Sequence, residues 1–146
     1  FNMPKNFKLF YVDNTGKKQT PIMIHVAVMG SIERFMSILL EHTAGNLPFW
    51  LSPEQIWILP IAESHNAYAQ KIAEELKDFR VIIKDQNETL GKKIREGEDK
   101  KIPYLLIVGD KEMSAETVSL RSRDDDGNDE TIKLGQLPQK LHQQLT

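Results

Sequence analysis

Residues 103–109, PYLLIVG, run apolar without interruption between a proline and a glycine. A strand with one wet face alternates apolar and polar side chains. An unbroken apolar run is instead the pattern of a strand covered on both faces, as in parallel sheets that carry helices on each side. That constraint organises the flanking sequence. QIWILPI (55–61) and RVIIK (80–84) read as further strands. Between them SHNAYAQKIAEELKDF (64–79) is helical, with Tyr68, Ile72, Leu76 and Phe79 on one face. ETLGKKIREGEDK (88–100) is a helix weakened by two glycines. ETVSLRSR (116–123), a DDDG turn and ETIKL (130–134) then make a hairpin, and a last helix places Leu137, Leu141 and Leu145 four apart. The expected fold class is α/β: a mixed, mostly parallel sheet of about five strands, flanked by helices and edged by antiparallel strands.

The grammar upstream is different. FKLFYV (7–12) is strand-like, DNTG (13–16) supplies turn chemistry, and PIMIHVAVM (21–29) reads as the return strand of a hairpin. Its alternation sets Ile22, Ile24, Val26 and Val28 against Met23, His25, Ala27 and Met29. A helix comes next, with Ser31 as N-cap, an apolar stripe of Ile32, Phe35, Met36, Leu39 and Leu40, and Gly45 as its stop. Arg34 lies off the stripe in the first turn, where the helix dipole disfavours a cation. AGNLPFWLSPEQ (44–55) reads as a linker holding the domain boundary.

Composition excludes several functions. With 19 basic and 21 acidic side chains the net charge is −2, so bulk electrostatics do not hold this chain on nucleic acid. Any RNA contact must be local and geometric. There is no cysteine, hence no disulfide framework and no thiolate metal site. No apolar run approaches the roughly 20 residues needed to span a bilayer, and no signal peptide is visible. The expectation is a soluble cytoplasmic protein without membrane contact. Because it opens at Phe1 almost inside a strand, the chain is expected to be part of something longer.

Four groups of residues could carry chemistry. His25 sits on a strand, where an imidazole is more often packed or solvated than a ligand; His42, His65 and His142 are too scattered to complete a metal site with it. Arg34 is either a solvated or Glu41-paired helix residue, or a nucleotide clamp beside a Gly-Ser turn. Asn87, Arg95, Lys100, Lys101, Asp110, Lys111 and Glu112 gather around the ends of two strands, where open α/β sheets bind ligands. Their charges nearly balance, so a solvated surface is the competing reading. Finally, TVSLRSR puts Thr117, Ser119, Arg121 and Arg123 on one face, suited to RNA or simply to water.

The stretches PIMIHVAVMGSIERFMSILLEHTAGNLPFWLSPEQ, LGKKIREGEDKKIPYLLIVGDKE and TVSLRSR together resemble the C-terminal part of bacterial threonyl-tRNA synthetases. The resemblance covers essentially the whole chain. It implies that residues 1–48 are the end of a class II catalytic domain, the motif 3 hairpin and helix, and that residues 52–146 are an anticodon-binding domain. It gives Arg34 the place of the motif 3 arginine that clamps ATP, with Ser31 beside it, and His25 the place of one of three protein ligands of an active-site zinc. Asn87, Arg95, Glu112 and Arg121 match positions that contact the anticodon of threonine tRNA.

The implied full-length enzyme is a homodimeric threonine–tRNA ligase that uses threonine, ATP, Mg2+ and Zn2+. None of these is expected to bind this chain tightly, since the other zinc ligands and motifs 1 and 2 are absent from it. Two residues depart from the family pattern, Val26 and Gln86, each standing where arginine is usual. The rival reading is a non-catalytic accessory or regulatory module with an anticodon-binding fold.

Overall fold

The computed structural model describes residues 2–85, 87–125 and 128–145. Gln86 and half of the DDDG turn lie outside the described residues. The chain divides into two compact units, the first ending at Glu41 and the second starting at His42.

The first unit opens with a single helical turn, α1 (Met3–Asn6), and a short antiparallel hairpin, β1 (Tyr11–Val12) with β2 (Lys18–Gln19). Register pairs Tyr11 with Gln19 and Val12 with Lys18. The intervening loop is organised by one carboxylate. Asp13 accepts hydrogen bonds from the Thr15 hydroxyl (2.7 Å), the Gln19 amide (2.9 Å) and the backbone N–H groups of Thr15 and Lys17. These donors, Thr15 and Gln19 foremost, hold the Asp13 carboxyl far below the usual carboxylate range.

The return strand expected over residues 21–29 does not form. Lys18–Gln19 already supplies the pairing for Tyr11–Val12, and no described strand pairs with residues 21–29. Alternation alone cannot make a strand without ladder partners. Ile22, Ile24, Val26 and Val28 are accordingly exposed. Helix α2 (Ile32–Thr43) does form, with Ser31 as its N-cap: the Arg34 N–H donates to Ser31 Oγ at 3.3 Å. Its own backbone N–H and the Ser31 hydroxyl hold the Glu33 carboxyl below its ordinary value. The apolar stripe of α2 exists in sequence, but none of its residues is buried.

The second unit contains a five-stranded sheet ordered β4-β3-β5-β6-β7, from β3 (Ile56–Pro60), β4 (Val81–Ile83), β5 (Tyr104–Val108), β6 (Thr117–Ser122) and β7 (Asp129–Lys133). β3 pairs parallel to β4 and β5, and β6 pairs antiparallel to β5 and β7. Four strands therefore share one direction and β6 opposes them, as the sequence predicts. Helix α3 (Asn66–Glu75) joins β3 to β4, and α4 (Leu90–Asp99) joins β4 to β5.

Every residue of β3 is buried. On one face Ile56, Ile58, Leu106, Val108, Val118, Leu120 and Ile132 pack with Tyr68 and Ile72 of α3 and with Leu76 at its C-cap. Leu137 and Leu141, from the last helix α6 (Leu137–His142), close the same core. On the other face Trp57, Leu59, Leu105 and Ile107 meet Leu90 and Ile94 of α4. The segment read as a linker is anchored: Phe49 is buried against Phe79 and Tyr104, and the Arg80 guanidinium donates to the carbonyls of Ser52 and Trp50.

Polar contacts fasten α4 to the sheet. Lys84 reaches Glu96 at 3.1 Å while lying over the Trp57 ring, and buried Lys93 donates to the Pro60 carbonyl at 2.9 Å. Desolvation lowers the Lys93 ammonium pKa. The two glycines of α4 differ in meaning. A Cβ at Gly91 would meet nothing within 4 Å, whereas one at Gly97 would sit 2.7 Å from Leu105 Cδ2. Gly97→Ala should therefore destabilise the chain by about 1–2 kcal/mol through overpacking. Gly91→Ala should stabilise it by about 0.5–1 kcal/mol. Urea unfolding of the two variants checks the opposite signs.

Candidate nucleic-acid interface

The sheet positions three of its four candidate RNA contacts at strand ends or on strands. Asn87 is exposed in the loop leaving the carboxyl end of β4. Glu112 lies in the first turn of α5 (Asp110–Ala115), which starts directly after β5. Both thus stand off the carboxyl ends of parallel strands, the usual ligand edge of such sheets. Arg121 lies elsewhere: on β6 it is registered against Leu105, near the amino end of β5 and about 10 Å along the strand from Val108. Arg95 is exposed on α4. The structure thus brings Asn87 and Glu112 to one edge of the sheet and does not gather all four into a single pocket.

Each side chain has a distinct electrostatic setting. The Gly109 N–H donates to Glu112 Oε2 at 3.0 Å, which anchors one carboxylate oxygen and leaves the other available as an acceptor. A Cβ on Gly109 would come within 3.0 Å of that oxygen and 2.8 Å of Ile61 Cδ1, so the glycine makes room for this arrangement. Arg121 donates from Nε to Asp129 Oδ1 at 2.7 Å, and its Nη1 lies 3.5 Å from Glu98 Oε1. The Asp129 bond, followed by both nearby charges, raises the Arg121 pKa above its ordinary value. The side chain faces a groove of about 460 Å3, also lined by Glu98, Lys101, Leu105 and Arg123. Arg123 is spent structurally, donating to the Leu47 and Lys101 carbonyls. Lys100 is half exposed, pairing with Glu96 at 3.1 Å.

One device escapes sequence reasoning altogether. The imidazole of buried His65 accepts the Ala62 N–H on Nδ1 (3.1 Å), which puts its proton on Nε2 for donation to Asp110 Oδ1 (2.9 Å). It ties the loop after β3 to the start of α5, the helix that carries Glu112. The partners are 45 residues apart in sequence. No local motif signals the pair. His65→Ala should cost about 2–4 kcal/mol, since it opens a cavity and orphans the Ala62 N–H. Asp110→Ala should cost about 1 kcal/mol, for a single exposed bond. Thermal denaturation of both variants measures the difference.

In the first unit, Arg34 and Ser31 are exposed at the start of α2, and His25 is exposed in the irregular segment before it. Among the described residues, no three His, Cys, Asp or Glu side chains cluster closely enough to hold a metal ion. His25 alone does not make a zinc site, which needs at least three protein ligands.

A five-stranded mixed sheet with polar and charged side chains at its carboxyl edge, on a weakly acidic chain, defines an α/β domain built for local rather than bulk-charge recognition. Residues 55–144 match the family model described as "Anticodon binding domain", and the chain belongs to that family. It is 45% identical over 147 residues to a threonine–tRNA ligase of Bacteroides fragilis, covering 99% of this chain and 23% of that protein. It is 53% identical over 127 residues to that of Caldanaerobacter subterraneus, covering 86% of this chain and 20% of that protein. The solved RNA binding domain of threonyl-tRNA synthetase from Cryptosporidium parvum superposes with a TM-score of 0.85 at 38% identity, covering 99% of this chain and 37% of that one. The chain thus spans about a quarter of the length of the curated relatives it matches. No described helix is long and apolar enough to cross a membrane.

Proposed function

We propose that this chain is the tRNA-recognising end of a threonine–tRNA ligase, with residues 52–146 reading the anticodon of threonine tRNA. The observation that carries the reading is the Glu112 carboxylate, fixed by the Gly109 N–H at the carboxyl edge of an anticodon-binding domain. Threonine codons begin AC, so guanine and uracil are the anticodon bases common to all threonine tRNAs. A carboxylate accepts from the N–H groups of guanine's Watson–Crick edge. A base without those donors leaves the carboxylate desolvated and unpaired, and that penalty is the source of discrimination. Asn87, which both donates and accepts, and Arg121, which only donates, serve the remaining base edges. Arg95, exposed on α4, supplies a further cationic contact.

Residues 1–48 in this reading are the motif 3 end of the catalytic domain. Arg34 would stack on adenine and meet phosphate, with Ser31 holding the helix start beneath it. His25 would contribute one imidazole to zinc, whose remaining ligands would come from outside residues 1–48. Threonine, ATP and Mg2+ belong to the whole enzyme, a cytoplasmic homodimer.

The 146-residue chain should bind a threonine anticodon stem-loop and discriminate the middle base. Glu112→Gln should reduce that discrimination by about tenfold, equivalent to one lost base contact of 1–3 kcal/mol. Lys100→Ala should weaken matched and mismatched loops equally through a lost phosphate contact. Fluorescence anisotropy with loops differing only at the middle base reads both effects. Equal binding of the two loops by the unmodified chain would favour a non-catalytic accessory module instead. The same chain should show no threonine-dependent pyrophosphate exchange and no stoichiometric zinc, because one imidazole and one motif 3 arginine do not make a catalytic site. Turnover or bound zinc would refute that division of labour.

A further inference from the structure

Arg121 sits between two carboxylates in a setting unsuited to a plain phosphate clamp. Its Nε is bonded to Asp129, the residue registered directly opposite it on β7. Its Nη1 faces Glu98 on α4. The backbone beside Glu98 lies close to the sheet: the preceding residue, Gly97, faces Leu105, which is registered opposite Arg121 on β5. Arg121 and its two flanking carboxylates by themselves carry a charge of about −1 at neutral pH, while the groove's other cations, Lys101 and Arg123, are directed to backbone carbonyls. Nε is committed to Asp129 and Nη1 lies beside Glu98, so an incoming acceptor must use the donors left on a fork flanked by acid. An incoming phosphate oxygen meets like charge on both sides of the donors it would use. A neutral acceptor such as guanine O6 or uracil O4 uses the same donors without that repulsion.

We propose that Glu98 is a specificity-determining residue: with Asp129 it makes Arg121 a reader of neutral base edges rather than a phosphate clamp. Asp129 sets the orientation of the guanidinium from the neighbouring strand. Glu98, the longer and more exposed contact, supplies the repulsion. Lys101 and Arg123 line the same groove, with donors directed to the carbonyls of Ala44 and Leu47 respectively. Their charge leaves the phosphates an alternative side of the groove. Weakening the wrong ligand is a recognised route to discrimination, and here it explains why a donor-rich residue is surrounded by acid.

The proposal rests on the reading of Arg121 as an RNA contact, and the experiment separates the two. Affinities of the 146-residue chain for matched and middle-base-mismatched anticodon stem-loops would be measured from low to high salt. The proteins are wild type, Glu98→Gln, Asp99→Asn, Arg121→Ala and the Glu98→Gln/Arg121→Ala double variant. Glu98→Gln should tighten the mismatched loop about three- to tenfold and the matched loop less. It should also steepen the dependence of log affinity on log salt by about 0.7, the contribution of one added single-strand phosphate contact. Both effects should vanish in the Arg121→Ala background and be absent from Asp99→Asn, which removes the same charge one residue away. Equal gains in Asp99→Asn, or gains that persist without Arg121, would mean a general field and would overturn the proposal, as would no gain at all. If Arg121→Ala binds both loops like wild type, the RNA reading of Arg121 itself fails.

Discussion

The second unit depends on burying β3 from both sides, because a strand with Trp57 on one face and Ile56 and Ile58 on the other cannot be left at a wet surface. That requirement forces α3 onto one face and α4 onto the opposite one. It also places the loops after β3, β4 and β5 together at one edge of the sheet. Everything assigned to RNA recognition hangs on this layering. Asn87 leaves β4, Glu112 follows β5, and α4 carries both Arg95 and Glu98 to the face where Arg121 emerges from β6. Side-chain bonds from Lys84 and Lys93 keep α4, and with it Arg95 and Glu98, in place on the sheet.

Much of that layering is legible in the sequence because burial leaves a compositional trace. The unbroken apolar run at 103–109 and the helical stripe of Tyr68, Ile72 and Leu76 both report a property of the residues themselves. The stretch 21–29 fails for the complementary reason. Its alternation is as clear as any in the chain, yet strand formation needs a neighbour, and a neighbour is a property of the surroundings. Site geometry is less legible still. Arg121 and Glu112 can be singled out by residue type and resemblance. The groups beside them cannot: Asp129 is placed by cross-strand register, Glu98 comes from a helix on the sheet's face, and Asp110 is bonded by a histidine far away in sequence.

Charge is distributed here in a way that suits selectivity more than grip. The chain is slightly acidic overall, and its arginines are mostly engaged. Arg80 and Arg123 brace backbone carbonyls, and Arg121 is flanked by acid. In the proposed role, strong attraction to every phosphate backbone would gain little, since that term is common to all competing RNA loops. Recognition through a few placed acceptors and shielded donors removes the shared term and keeps the discriminating one.

The unpaired stretch 21–29 leaves a pairing edge unused among the described residues. Its aliphatic side chains alternate in water, and its backbone donors and acceptors are not committed to any described strand. Short segments of high β-propensity with free edges are templates for pairing between molecules, and a proline at position 21 guards only one end. The segment therefore keeps an edge onto which a further strand can add, whatever the stability of the sheet in the second unit.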